Sequence, residues 1–322
     1  FQHGSQQTTV SRTNDVFVVA TGTRSLPGPS YAVQRVIGVD PLQQYLVSFP
    51  GGRLQTLEAS YDVHQRDWFN VYGTEDRQPG EWGHWTGRGM NWNSMCASCH
   101  NTRVHKNYDP ATDSYHTVMA EPTVSCEACH GPSQPHVVWQ RQHRGSATPD
   151  PTLRRLTADQ MLDTCGSCHA RRSELTGDFK PGDRFDDCMR LSQVDESDTY
   201  FPDGQVHGEN FELSAFLGSR MHFQGVRCGD CHEPHSAKTR LPGNWLCLRC
   251  HNGGDSRAPV INPVSHSFHP VFGFDALGVA TNLDLTTYPP KDRVHSGGEC
   301  IHCHMPQRSE EHTSELQSPC NL

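Results

Sequence analysis

Cys228-Gly229-Asp230-Cys231-His232 is followed shortly by Cys247-Leu248-Arg249-Cys250-His251, two copies of one pentapeptide, Cys-x-x-Cys-His. Outward from this pair the pattern recurs at Cys96–His100, Cys126–His130 and Cys165–His169, and once more at Cys300–His304. The six copies use twelve of the 14 cysteines. A chain of this Cys and His content would hold roughly 0.04 such pentapeptides by chance, so composition does not account for them. The spacing has a chemical reason. Two thiols three positions apart add across the two vinyl groups of one haem, and the adjacent imidazole then lies beneath the iron.

The pattern therefore predicts six covalently attached haem c groups. Cys96, Cys99, Cys126, Cys129, Cys165, Cys168, Cys228, Cys231, Cys247, Cys250, Cys300 and Cys303 would form the thioethers. His100, His130, His169, His232, His251 and His304 would be the proximal iron ligands. Zinc ribbons need two Cys-x-x-Cys pairs per metal and would leave each following His idle. Disulfide staples require neither the fixed spacing nor the His.

Composition agrees with a cofactor-built interior. Only 34% of the 322 residues are hydrophobic, while 22 Pro and 28 Gly imply many turns and few long helices. Such a chain is poorly supplied for an ordinary core, and large flat apolar groups would complete it. A net charge of −9 argues against nucleic acid as a partner and is compatible with redox partner proteins. No run of about 18 apolar residues is present, so no transmembrane segment is expected. The sequence starts at Phe1 without a signal peptide. Because haem is attached after export in bacteria, the expectation is an exported protein, periplasmic or extracellular, whose leader is missing from this sequence.

Three regions are expected. Residues 1–75 lack Cys and read as a small antiparallel β unit, structural or used for docking: Val16–Ala20 and Tyr31–Ile37 are apolar, β-branched runs. Gln44–Phe49 and Arg53–Leu57, joined by Pro50-Gly51-Gly52, read as a hairpin. Residues 76–307 read as a loop-rich, short-helix multihaem domain, with the approach to its first motif crowded by Trp82, Trp85 and Trp92, expected to pack on a haem face. A helix is expected from an N-cap at Thr157 into the third motif, and another across Phe211–His222. Residues 308–322 read as a disordered polar tail, and Arg308–Ser318 resembles a translated sequencing adapter, so the protein is expected to continue beyond Gln307. Motif starts at 96, 126, 165, 228, 247 and 300 lie 30, 39, 63, 19 and 53 residues apart, which excludes a simple repeat and makes the fourth and fifth haems neighbours.

Each iron needs a sixth ligand or stays open. Fifteen of the 21 His lie outside the proximal positions, enough to make every haem bis-His and therefore low in potential. His235, three residues past His232 and behind Pro234, and His136, behind Pro135, are candidates. So are His222, His295 and one of the pair His266 and His269, with His269 preferred. Cys188 stands outside every motif and reads as a free or buried thiol.

Residues 228–251 resemble the doubled-motif module of multihaem cytochromes c. Residues 40–60, 92–100, 124–132 and 300–306 resemble large bacterial multihaem cytochromes, which usually carry a further N-terminal haem motif and C-terminal tetratricopeptide repeats. A more distant likeness is to cytochromes that accept electrons from hydroxylamine oxidation. The resemblance implies haem binding and electron transfer, and the absence of the flanking parts implies a fragment. The leading expectation is an electron carrier. The alternatives are a multihaem oxidoreductase acting on small nitrogen or sulfur compounds at one open haem, and a docking scaffold. Since the chain is too lean to close a core around residues 90–305 unaided, circular dichroism of haem-free protein should show little helix there, and native-like helix content would contradict this.

Overall fold

The computed structural model describes residues 1–196, 199–202, 213–236, 238–271, 273 and 298–305. Phe1–Gln193 form one compact unit, which Leu213 and Ser214 rejoin, and the described residues from Ala215 onward belong to a second.

The first unit begins with one antiparallel sheet whose strands lie in chain order: β1 Gln2–His3, β2 Gln6–Thr13, β3 Val16–Thr23, β4 Ser30–Ile37, β5 Leu42–Phe49, β6 Arg53–Asp62 and β7 Asp67–Asn70. Its hairpins are set by turn chemistry. Asn14 and Asp15 both adopt positive φ (48° and 65°) between Thr13 and Val16, the conformation a tight two-residue hairpin requires. Gly51 and Gly52 do the same (72° and 68°) where Phe49 pairs with Arg53. The expected strands all form. The sheet also includes β2, whose Gln-Gln-Thr-Thr start carries no apolar signal; it is recruited by pairing along the whole of β3.

Adjacent residues on β5 face opposite sides of the sheet, and both sides are covered. On one, Val47, Val19 and Leu57 pack with Trp85, and Tyr31 and Phe49 meet the indole edge-on at 5.6 and 5.7 Å. On the other, Leu46 packs with Trp92, Ala97 and Cys96. Trp85 and Trp92 are thus part of the sheet's own core, while Trp82 is exposed. Asn93 completes the join: its Oδ1 accepts from Leu54 N at 2.7 Å, and its Nδ2 donates to Thr117 Oγ1 at 2.9 Å.

The rest of the described chain is short helices and two-stranded ribbons: α1 Trp92–Met95, α2 Ala97–His100, β8 Tyr108–Asp109, β9 Ser114–Tyr115, α3 Cys126–His130, α4 Gln134–Gln142, α5 Ala158–Gly166, β10 Arg172–Glu174, α6 Phe185–Cys188 and β11 Met189–Leu191, then α7 Leu213–Leu217, α8 Arg220–Phe223, α9 Cys228–Cys231, β12 His232–Glu233, β13 Lys238–Thr239, α10 Asn244–His251, α11 Pro263–Ser267 and α12 Cys300–His304. The helix expected after Thr157 forms, opened by a Thr157–Gln160 capping box. The one expected across Phe211–His222 does not run through. It breaks at Gly218-Ser219, where Ser219 Oγ accepts from His222 N at 3.2 Å and caps a new helix. Among the described residues no helix is long and apolar enough to cross a membrane.

Glu58 is the buried acid of the sheet, 3% exposed, accepting from Trp85 N at 2.7 Å and Asn70 Nδ2 at 3.2 Å. Burial raises its pKa against the pull of these hydrogen bonds. The folded state then holds this proton more tightly than the unfolded chain, so its contribution to stability falls as pH rises through the folded pKa. Glu58→Gln should therefore gain stability relative to the parent between pH 4 and pH 8, measured by amide exchange in β5 and β6. A difference independent of pH would contradict the assignment.

Candidate haem-attachment sites

Residues three and four apart on a helical turn are neighbours, so one turn points both thiols and the imidazole of Cys-x-x-Cys-His to one side. The chain folds accordingly. His100 N donates to Cys96 O at 3.1 Å and His169 N to Cys165 O at 2.9 Å, each closing a turn across its motif. Motifs two, five and six lie wholly in α3, α10 and α12. The fourth departs: α9 ends at Cys231, and His232 is extended (φ −105°, ψ 146°) at the start of a small ribbon. All six motif imidazoles are exposed or half-buried in the protein alone.

Within the first unit, three motifs come together. Cys96 is rooted in the core beneath the sheet, where burial pushes its thiol up to about 11. Thr102 is fully buried; its hydroxyl donates to Thr123 O at 2.7 Å and accepts from Ser125 N at 2.9 Å, tying the exit of motif one to the entry of motif two. Helix α3 lies against α5, bringing motif two to motif three. Cys99 Sγ lies 3.9 Å from Cys168 O, so motifs one and three touch although 69 residues separate those cysteines. The Cys168 thiol, helped by Arg172, draws the Cys99 thiol down, while the same contact pushes Cys168 up.

The second unit gathers the other three. Asn244, opening α10, donates Nδ2 to Gly298 O and accepts from Cys300 N with Oδ1, both at 2.8 Å, which fixes motif six beside motif five. The Cys247 thiol draws the Cys300 thiol down, to about 7, and is itself pushed up by the same neighbour. Arg249 Nη1 donates to Asp230 O at 3.4 Å, linking motif five to motif four. Among the described residues no group of three or more His, Cys, Asp and Glu side chains converges tightly enough to hold a bare metal ion.

The sixth-ligand candidates are placed very differently. His136 Nδ1 is bonded to Asp150 Oδ2 at 2.6 Å. Burial would raise that carboxylate, but Thr152, His136 and Gln140 bring it down to about 2. His222 Nδ1 meets Leu217 O at 3.2 Å. In both the second ring nitrogen stays available, the arrangement that orients an imidazole for metal binding. His235 is exposed and bonded to Glu233 at 3.0 Å, and His269 is exposed. His266 is the residue brought to a motif histidine: its ring lies 5.9 Å from that of His304, the planes 12° apart. His295 lies outside the described residues. Cys188 is a half-buried free thiol at the end of α6. Sequence reading missed Thr102, Arg172 and Asn244, whose partners are distant in the chain.

In comparison with known proteins, 194 residues are 26% identical to the multiheme cytochrome MtrA of Shewanella baltica (strain OS185), an alignment covering 52% of this chain and 54% of that one. The chain is a distant relative of a multihaem cytochrome. It spans about half the length of the curated relative it matches. Among solved structures, the outer cell wall cytochrome OcwA aligns over 66% of this chain and 54% of its own, with a TM-score of 0.43 and 18% identity. No family model matches.

Asn244 holds motif six beside motif five, so the asparagine clamp acts locally, within the second unit. Asn244→Ala should leave haem attachment at motifs one to three intact and impair it at motif six, read by peptide mass spectrometry; equal loss at all motifs would contradict the described grouping.

Proposed function

We infer that this chain is a hexahaem c-type cytochrome of the large bacterial type, exported to the periplasm or cell exterior, that transfers electrons between redox partner proteins. The observation that carries this reading is the gathering of the motifs into two contacting triplets, one in each unit. Electron tunnelling falls steeply with distance, and attachment points in contact keep their cofactors close. The relationship to a multihaem cytochrome supports the same reading. Haem, when bound, supplies the redox-active iron; the chain supplies spacing, orientation and potential.

The residues present fit the group. Five of the six motif turns carry two thiols and an imidazole on one helical turn, the fourth carrying its thiols there with His232 extended, and the imidazoles are open enough to meet a flat ring. The nearness of the His266 ring to that of His304, stacked with centroids 5.9 Å apart, makes His266, rather than the expected His269, the candidate sixth ligand of the last haem. His136, oriented by Asp150, and His222, oriented by Leu217 O, are the best-supported other distal ligands. His235 and His295 complete the proposed set. Mostly bis-His ligation implies low potentials.

Electron paramagnetic resonance of the oxidised holoprotein tests the ligation. Low-spin signals should dominate, and His266→Ala should turn one haem high-spin and raise its potential while five remain unchanged. A variant indistinguishable from the parent would remove His266 from the coordination sphere. A native protein with several high-spin haems would overturn the bis-His carrier.

A further inference from the structure

We propose that the first and third haem sites form a coupled pair, out of chain order, and that Arg172 is the positioning residue that holds them together and raises their potentials in common. This rests on the haem reading above and deepens it.

Arg172 stands three residues beyond His169, on β10, and its side chain is 9% exposed. Its Nε donates to Ser167 O at 2.6 Å, inside motif three. Its Nη2 donates to Ser98 Oγ at 3.3 Å and lies 3.8 Å from Cys99 Sγ, inside motif one. One planar guanidinium therefore grips the intervening residues of both pentapeptides, a geometry its fixed fork of donors suits and a lysine would only partly reproduce. The contact between Cys99 and Cys168 changes once both sulfurs are thioethers, but the bonds to Ser98 and Ser167 do not depend on free thiols.

The charge is only partly compensated. Glu174 lies 3.4 Å from Arg172 Nη1 and is shared with Lys106 Nζ at 2.7 Å, which also donates to Ser94 O at 3.2 Å. Two cations and one anion thus leave a net positive charge at the junction of the motifs. Ferric haem carries one more positive charge than ferrous haem, so a nearby cation disfavours oxidation. Burial limits the screening of that effect. Placed between two attachment sites, the charge acts on both.

The test is a spectroelectrochemical titration of the holoprotein, with haem content measured first. In Arg172→Gln, two of the six haems should become easier to oxidise, on the order of tenfold in their oxidised-to-reduced ratio at fixed potential, or 59 mV for a one-electron couple. The other four should be unchanged, and Arg172→Lys should shift the same two by less. Glu174→Gln should move that pair in the opposite direction, and it decides the matter if Arg172→Gln does not mature. Full haem content with parental potentials in both neutralised variants, or an equal shift of all six, would overturn the pairing alone. A parent protein without six haems would overturn the underlying haem reading as well.

Discussion

Closing one helical turn across the pentapeptide, as five of the six motifs do, is the constraint on which the rest of the structure depends. The bond from His N to the first Cys O, seen at 2.9 Å in motif three, brings positions one, four and five to the same side. The functional chemistry needs only that local geometry, repeated, with the repeats held close. The surrounding chain need not be rich in helix, and among the described residues the longest helices are of 9 residues. What the chain spends its polar side chains on is the joining of one turn to another: Asn244 and Arg172 bond motifs distant in sequence, and Thr102 bonds the segment that leads into motif two.

The β sheet is the exception to this economy. It has its own apolar core on both faces and is the part of the protein that sequence and elementary packing explain most fully. Its role is visible in where Cys96 sits. The first motif is not appended to the sheet but packed beneath it, with Leu46, Trp92 and Ala97 around its first cysteine. A rigid sheet thereby fixes one end of a motif cluster, and that cluster is then extended by polar contacts rather than by a larger core.

Much of this was legible from residues alone, for reasons that differ by element. β3 to β6 announce themselves through β-branched, apolar runs and a Pro-Gly-Gly turn, and α5 through its N-cap Thr157. β2 was hidden because its strand character comes from pairing with β3. The break at Gly218-Ser219 lost to an apolar period that suggested a continuous helix. At the candidate sites, the motif cysteines and histidines are local signals and could be read directly. The partners of those motifs are not: nothing in the spacing indicates that Cys99 meets Cys168, or that His266 rather than His269 faces His304. Such choices are made by tertiary contacts, to which a single sequence is silent.

The central claim is that six pairs of thiols are consumed by six tetrapyrroles. Intact-mass measurement of protein matured in a host competent for haem attachment addresses it directly, together with the visible spectrum of the reduced form. The mass should rise by six haem groups, carried on peptides containing each Cys pair, with a c-type absorption spectrum. A colourless protein with its motif thiols free would contradict it.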